Sequence, residues 1–143
     1  MPDFALKLIY HSLIGSKLRY GVTAWGSAKS TALKKLNMLN DRAVGNLKRP
    51  TENLQLTYQR LKINHINSLY KLETIKFIKL LNEGKLPAEF NSFAEPINHH
   101  YHTRISSGVN YHIPHVRTDL GKSLIKYHGI HVWNDLPFEI KKF

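Results

Sequence analysis

"INSLYKLETIKFIKLL", residues 66–81, carries the strongest periodic signal in the chain and decides the fold class. Its apolar residues stand at positions 66, 69, 70, 72, 75, 77, 78, 80 and 81. They recur at the three- and four-residue spacing of a helix, yet over a wider arc than one stripe. The segment is therefore expected to be a helix packed on more than one side, the central element of a core. Asn82-Glu83-Gly84 ends it, and Pro87 cannot continue it.

Upstream, the same reading places three more helices. After Pro2, Asp3 is the expected N-cap of a helix whose inward residues are Leu6, Ile9, Tyr10, Leu13 and Ile14, interrupted at Gly15. "LRYGVTAWGSAKS", residues 18–30, carries Tyr20-Gly21 and Trp25-Gly26 and reads as a bent connection. Leu33, Leu36, Leu39, Ala43, Val44 and Leu47 mark the next helix, with Ser30 or Thr31 as its cap, Pro50 as its stop and Gly45 weakening its last turn. "NLQLTYQRLKI", residues 53–63, is expected to form a short third helix before the central one.

Beyond residue 90, Gly, Pro, His, Asn and Ser become frequent and the apolar runs shorten to "YHIPHV" and "SLIKYHGIHVW", which suit short strands or extended segments. Near the end, Trp133-Asn134-Asp135-Leu136-Pro137 reads as a turn launching a helix, with Asp135 as cap and Pro137 in the first turn. So few residues follow that this helix needs docking, with Trp133 and Leu136 as its anchors. The fold expected is mainly α: a small bundle of three to four helices, followed by an irregular, partly β C-terminal portion. Its segments are 1–50, 51–92 and 93–143.

At 143 residues and 42% hydrophobic composition, the chain is long and apolar enough for a real core. Without cysteine it has no disulfides, thiolate nucleophiles or thiolate metal sites, which fits a reducing, intracellular compartment. The opening apolar run is broken by Lys7 and His11 and lacks a basic leader, so it does not read as a signal peptide, and no transmembrane stretch follows. The formal net charge is +11, a balance that points to a polyanionic partner. Residues 1–72 hold twelve Lys/Arg against three acids, Asp3, Asp41 and Glu52, so polyanion contact is expected in the first half.

Five stretches, taken in order, resemble one family. They are "YHSLIGSKLRYGVTAWGS" (10–27), "LKKLNMLNDRAVGNL" (33–47), "LYKLETIKFIKLLNEGKLPAEF" (69–90), "YHTR" (101–104) and "HVRTDLGKSLIKYHGIHVWNDLPFEIK" (115–141). The series is similar to the region after the polymerase palm in reverse transcriptases of non-LTR, LINE-type retrotransposons, especially jockey-like ones. The resemblance implies that residues 1 to about 50 correspond to the thumb, which grips the primer–template duplex. The rest corresponds to a C-terminal region without a catalytic role, and the chain to a piece lacking the palm and fingers, truncated at both ends. Gly45-Asn46 departs from the family pattern, where a basic and an apolar residue are usual.

Polymerase chemistry requires paired carboxylates to hold two Mg²⁺ ions. Here Asp3, Asp41, Asp119 and Asp135 stand singly and read as caps or turn residues, so the chain alone is expected to be no enzyme and to need no cofactor, Mg²⁺ belonging to the intact parent polymerase. Seven of the nine histidines lie between 99 and 131. His99/His100/His102, His112/His115 and His128/His131 are read as ordinary loop and strand residues whose alternation throws paired rings to opposite faces, with no metal site. Ser106, Ser107 and Ser123 lack any nucleophile-elbow pattern.

The stronger signal is basic. Lys35, Arg42 and Arg49 are spaced by seven, which puts them on one helical stripe, and Lys34, Lys48 and Arg19 widen it. These six are the expected phosphate contacts. Tyr20 and Trp25 are expected mainly as packing at the bend, with base stacking as the alternative. The function expected is nucleic-acid backbone binding by a thumb-like element. The alternatives are a protein-interaction or scaffold fragment, and a decayed transposon-derived reading frame.

Overall fold

The computed structural model describes residues 1–97 and 109–141, and it is mainly helical. The described residues contain no strand, only one isolated antiparallel bridge between Pro96 and Tyr111, so the expected partly β C-terminal portion is corrected. The chain divides into two compact units, Met1–Tyr70 and Lys71–Phe143.

In the first unit, helix α1 (Asp3–Tyr10) runs through a π-helical stretch (His11–Gly15) into α2 (Ser16–Arg19), so Gly15 does not break it. Tyr10 is buried with Leu6 and Ile14 beside it. The core takes only this line, at steps of four. The adjacent line, Ile9 and Leu13, was expected inward and stays outside, at 39% and 62% exposed. Asp3 is not a cap either: Pro2 holds that position without a side-chain cap bond, and the Asp3 carboxylate pairs with Arg49 and Arg60.

The bend contains a one-turn helix, α3 (Val22–Trp25), whose Trp25 indole N–H donates to the Tyr20 carbonyl at 3.0 Å. Helix α4 (Ser30–Gly45) starts at Lys29 with no side-chain cap bond, so neither Ser30 nor Thr31 plays that role, and it stops at the glycine that weakened its last turn. Helix α5 (Leu54–Leu61) is capped by Asn53, whose Oδ1 accepts the Leu56 N–H at 2.8 Å. Tyr10, Val44, Tyr58, Leu61 and Ile63 from these elements form the unit's core. Each buried aliphatic contributes about 1.5–3 kcal/mol.

Two polar devices tie the unit together. Asn40 is buried at 3% exposure inside the helix where Leu39 was expected to face the core, while Leu39 is 51% exposed. Asn40 accepts the Tyr10 hydroxyl at 2.7 Å and donates to the Tyr58 oxygen at 2.9 Å, and Tyr58 in turn donates to Asp41 at 2.7 Å. The second device is Arg60. It forks onto Glu52 through Nε and Nη2, both at 2.8 Å, and also reaches Asp3 and the Leu47 carbonyl. The guanidinium hydrogen bond holds Glu52 down to about 2.

Helix α5 ends at Lys62 in the left-handed conformation (φ 51°), with the Ile63 N–H bonded to the Tyr58 carbonyl at 3.0 Å. A Cβ is strained there by about 1–2 kcal/mol, which glycine escapes. Lys62→Gly is therefore expected to raise stability by about 1 kcal/mol, part of the relief being lost to the freer unfolded chain. A urea midpoint that falls in this variant would show that the Lys62 stem contributes packing instead.

The central helix α6 (Ile66–Asn82) is present almost as the periodicity predicts. In the first unit it buries Ile66, Leu69 and Tyr70; in the second, Thr74 and Ile78. It closes at Gly84 (φ 64°), where the Lys85 N–H reaches the Leu80 carbonyl at 2.9 Å. A single 3₁₀ turn follows at Ala88–Phe90.

The remainder of the second unit departs from expectation. "SLIKYHGIHVW" is helical: α7 (Asp119–Ser123), capped by Thr118 through the Gly121 N–H at 3.1 Å, and α8 (Ile125–Asn134). Ile130 and Trp133, three apart on α8, are buried with Ile78 and Tyr111. That cover lets the helix form despite Gly129. Trp133 and Asn134 thus belong to a helix rather than a turn, and Asp135 sits at its C-terminal cap. The turn is Asp135–Pro137, and α9 (Phe138–Lys141) follows, the Pro137 carbonyl accepting the Ile140 N–H at 3.1 Å.

Trp133 is 2% exposed and Leu136 packs against the same cluster. The Trp133 indole donates to the Val109 carbonyl at 2.9 Å, and Asn134 makes two bonds to the Tyr111 backbone, at 2.8 and 3.1 Å. Lys141 donates to Asn110 and to the Asn134 carbonyl, at 2.9 and 3.0 Å.

Candidate nucleic-acid interface

The candidate site is marked out by what happens to the negative charges. All three acids of the basic first half are engaged within their own unit: Asp3 by Arg49 and Arg60, Glu52 by Arg60, and Asp41 by the Tyr58 hydroxyl. Lys34, Lys35, Arg42 and Lys48 are exposed and make no ion pair among the described residues. Helix α4 carries Lys34, Lys35 and Arg42, with Lys35 and Arg42 two turns apart, and Lys48 lies in the turn that leaves it.

Arg49 does not complete the stripe. The helix ends four residues before it, and its guanidinium is held by Asp3 at 2.9 Å. Nor does the structure place Arg19 on this face of α4. It is exposed on α2, beside a small recess that Tyr10, His11, Asn64 and Leu69 also line. Burial, helped by the charges of Arg19 and Lys7, lowers the pKa of His11 there.

A cleft of about 620 Å³ opens beside Lys34. Ser30 and Thr31 at the start of α4, Asn37, and Asn67 in the first turn of α6 line it with polar groups, and the Asp41 carboxylate, held by Tyr58, lines it as well. The hydroxyls and amides can donate hydrogen bonds to phosphate oxygens, and Lys34 supplies a charge that strengthens them.

The aromatic residues of the bend separate. Trp25 is half-buried, as packing requires. Tyr20 corrects expectation: its carbonyl holds the bend through Trp25, but its ring stands 86% exposed.

His128 and His131 lie one helical turn apart on α8, not on opposite faces of an extended segment. Burial is the main cause of a lowered pKa at His128, and the ring of His131 leans on Tyr127 at 4.8 Å. His112 and His115 are exposed, while His99, His100, His102, Ser106 and Ser107 lie outside the described residues. Among the described residues no three His, Cys, Asp or Glu side chains gather as metal ligands, and no helix is long and apolar enough to cross a membrane. The Ser123 hydroxyl donates to the Leu120 carbonyl at 2.7 Å.

Asn40, Tyr58 and Arg60 went unrecognised in the sequence, although Tyr58 and Arg60 engage the three acids of the unit. A polar Asn between apolar helix positions was the one visible signal for Asn40. Their partners are 8 to 57 residues away, most of them beyond the reach of any local pattern.

No protein-family model, curated protein or solved structure matches the chain.

Proposed function

We propose that this chain binds nucleic-acid backbone as the thumb and post-thumb portion of a non-LTR, LINE-type reverse transcriptase, without the polymerase's catalytic carboxylates. The observation that carries the reading is the surplus of exposed cations at Lys34, Lys35, Arg42 and Lys48, in a unit whose every carboxylate is already engaged. A basic helix face is ordinarily neutralised by neighbouring acids. Here no ion pair among the described residues does so, which leaves the face open to an external anion. The residue order that resembles the retrotransposon enzymes supplies the second support and suggests a primer–template duplex as the ligand. The palm and fingers of the parent, with their Mg²⁺, would supply both the catalysis and the other side of the grip.

Each Lys or Arg that neutralises a phosphate releases a condensed counterion, so affinity falls with salt. Four contacts give an expected log–log slope of roughly −3.6 on duplex DNA. Fluorescence anisotropy over a salt series measures it. Changing Lys34, Lys35, Arg42 and Lys48 to Glu is expected to lower affinity about tenfold or more and flatten the slope. Unchanged binding in the folded variant would remove the thumb-like role from this face.

Exposed apolar residues on the first helix, Phe4 (77%), Leu8 (58%) and Leu13 (62%), favour protein association as a second reading. In that case the parent would show little salt dependence on DNA.

A further inference from the structure

We infer that Tyr20 is a base-stacking platform, so that the preferred ligand of this chain is a nucleic acid carrying an unpaired segment. The inference rests on the backbone-binding reading and adds the class of nucleic acid to it.

Tyr20 has the most exposed of the large apolar side chains among the described residues, at 86%. Its backbone is nevertheless fixed. The N–H bonds to the Ser16 carbonyl at 3.1 Å, its own carbonyl receives the Trp25 indole at 3.0 Å, and Gly21 (φ 62°) then reverses the chain. A ligand that covers the ring therefore has only two side-chain torsions to order, a small entropic cost.

The surroundings select the ligand. Lys17, three residues back on the same helix face, is exposed, and Leu13 continues that face one turn further. The acids of this unit, Asp3, Asp41 and Glu52, are all engaged elsewhere. An aromatic face beside an unneutralised cation suits a base on the ring and its phosphate on the lysine. Paired bases inside a duplex have both faces covered by their neighbours. Only an unpaired or terminal base offers a face to Tyr20.

The test compares a labelled blunt DNA duplex with the same duplex carrying a short single-stranded tail, by anisotropy, for the parent, Tyr20→Phe and Tyr20→Ala. One stacked base is worth about 1–3 kcal/mol, so the parent is expected to prefer the tailed duplex about tenfold. Tyr20→Phe should keep that preference. Tyr20→Ala should bind the tailed and the blunt duplex equally, with the parent's salt slope and an unchanged helical circular dichroism spectrum.

A parent without tail preference, or a Tyr20→Ala protein that retains it, overturns the stacking assignment and leaves backbone binding standing. If the parent binds neither duplex at any salt, both readings fall. Concentration-dependent self-association that Tyr20→Ala abolishes, without tail preference, would assign the ring to a protein contact instead.

Discussion

Trp133→Ala is expected to destabilise the second unit by about 3–5 kcal/mol, the range for deleting a buried large aromatic. Trp133 is 2% exposed, and its ring packs with Ile78, Tyr111 and Ile130, so its loss opens a cavity at the centre of that cluster. The Val109 carbonyl also loses the indole donor that holds it at 2.9 Å. Trp133→Phe keeps most of the apolar area and deletes the N–H, and should cost less than the alanine change. The difference between the two variants separates packing from the hydrogen bond. Urea denaturation followed by circular dichroism reads both, and an alanine variant with the parent's midpoint would mean that α8 does not depend on its tryptophan.

The second large effect is expected at Asn40. Asn40→Ala removes the acceptor of the Tyr10 hydroxyl and the amide donor to Tyr58, while Tyr58 keeps Asp41 as its acceptor. One buried hydroxyl is left unsatisfied and a small cavity opens, together about 2–4 kcal/mol. Adding Tyr10→Phe deletes the stranded hydroxyl. The double variant should thus be less damaged than the two single losses added together. Strict additivity would show that the three groups do not act as one network.

The same network sets an alkaline limit. Burial above all holds the Tyr10 and Tyr58 hydroxyls above their ordinary value of 10, with Asp41 reinforcing Tyr58. The unfolded chain loses these protons near pH 10 and the folded chain only at higher pH. Their contribution is therefore complete below pH 10 and declines as pH rises beyond it.

Most of the helices were legible because their signals are local. The apolar spacing of residues 66–81, the Asn82-Glu83-Gly84 stop and the Asn53 start of α5 depend on residues within a turn or two of one another. The net charge and its confinement to the first half were legible for a simpler reason: charge adds along the chain whatever the fold.

Other features were decided by tertiary structure. Helix α8 carries Gly129 and five β-branched or aromatic residues in ten, weak by intrinsic preference, and forms because Ile78 and Tyr111 cover its Ile130 and Trp133. Asn40 displaces Leu39 from the core because two tyrosine hydroxyls from other helices satisfy it, which turns burial of a polar group from a cost into a bond. Ile9 and Leu13 face out because only the neighbouring line of α1 meets the core. Which cations are left without an ion pair among the described residues was settled in the same way. Arg49 and Lys48 are adjacent in sequence, yet the first is drawn to Asp3 across 46 residues and the second is left in solvent. An ion pair depends on distance in space, and a chain of side chains written in order does not contain that distance.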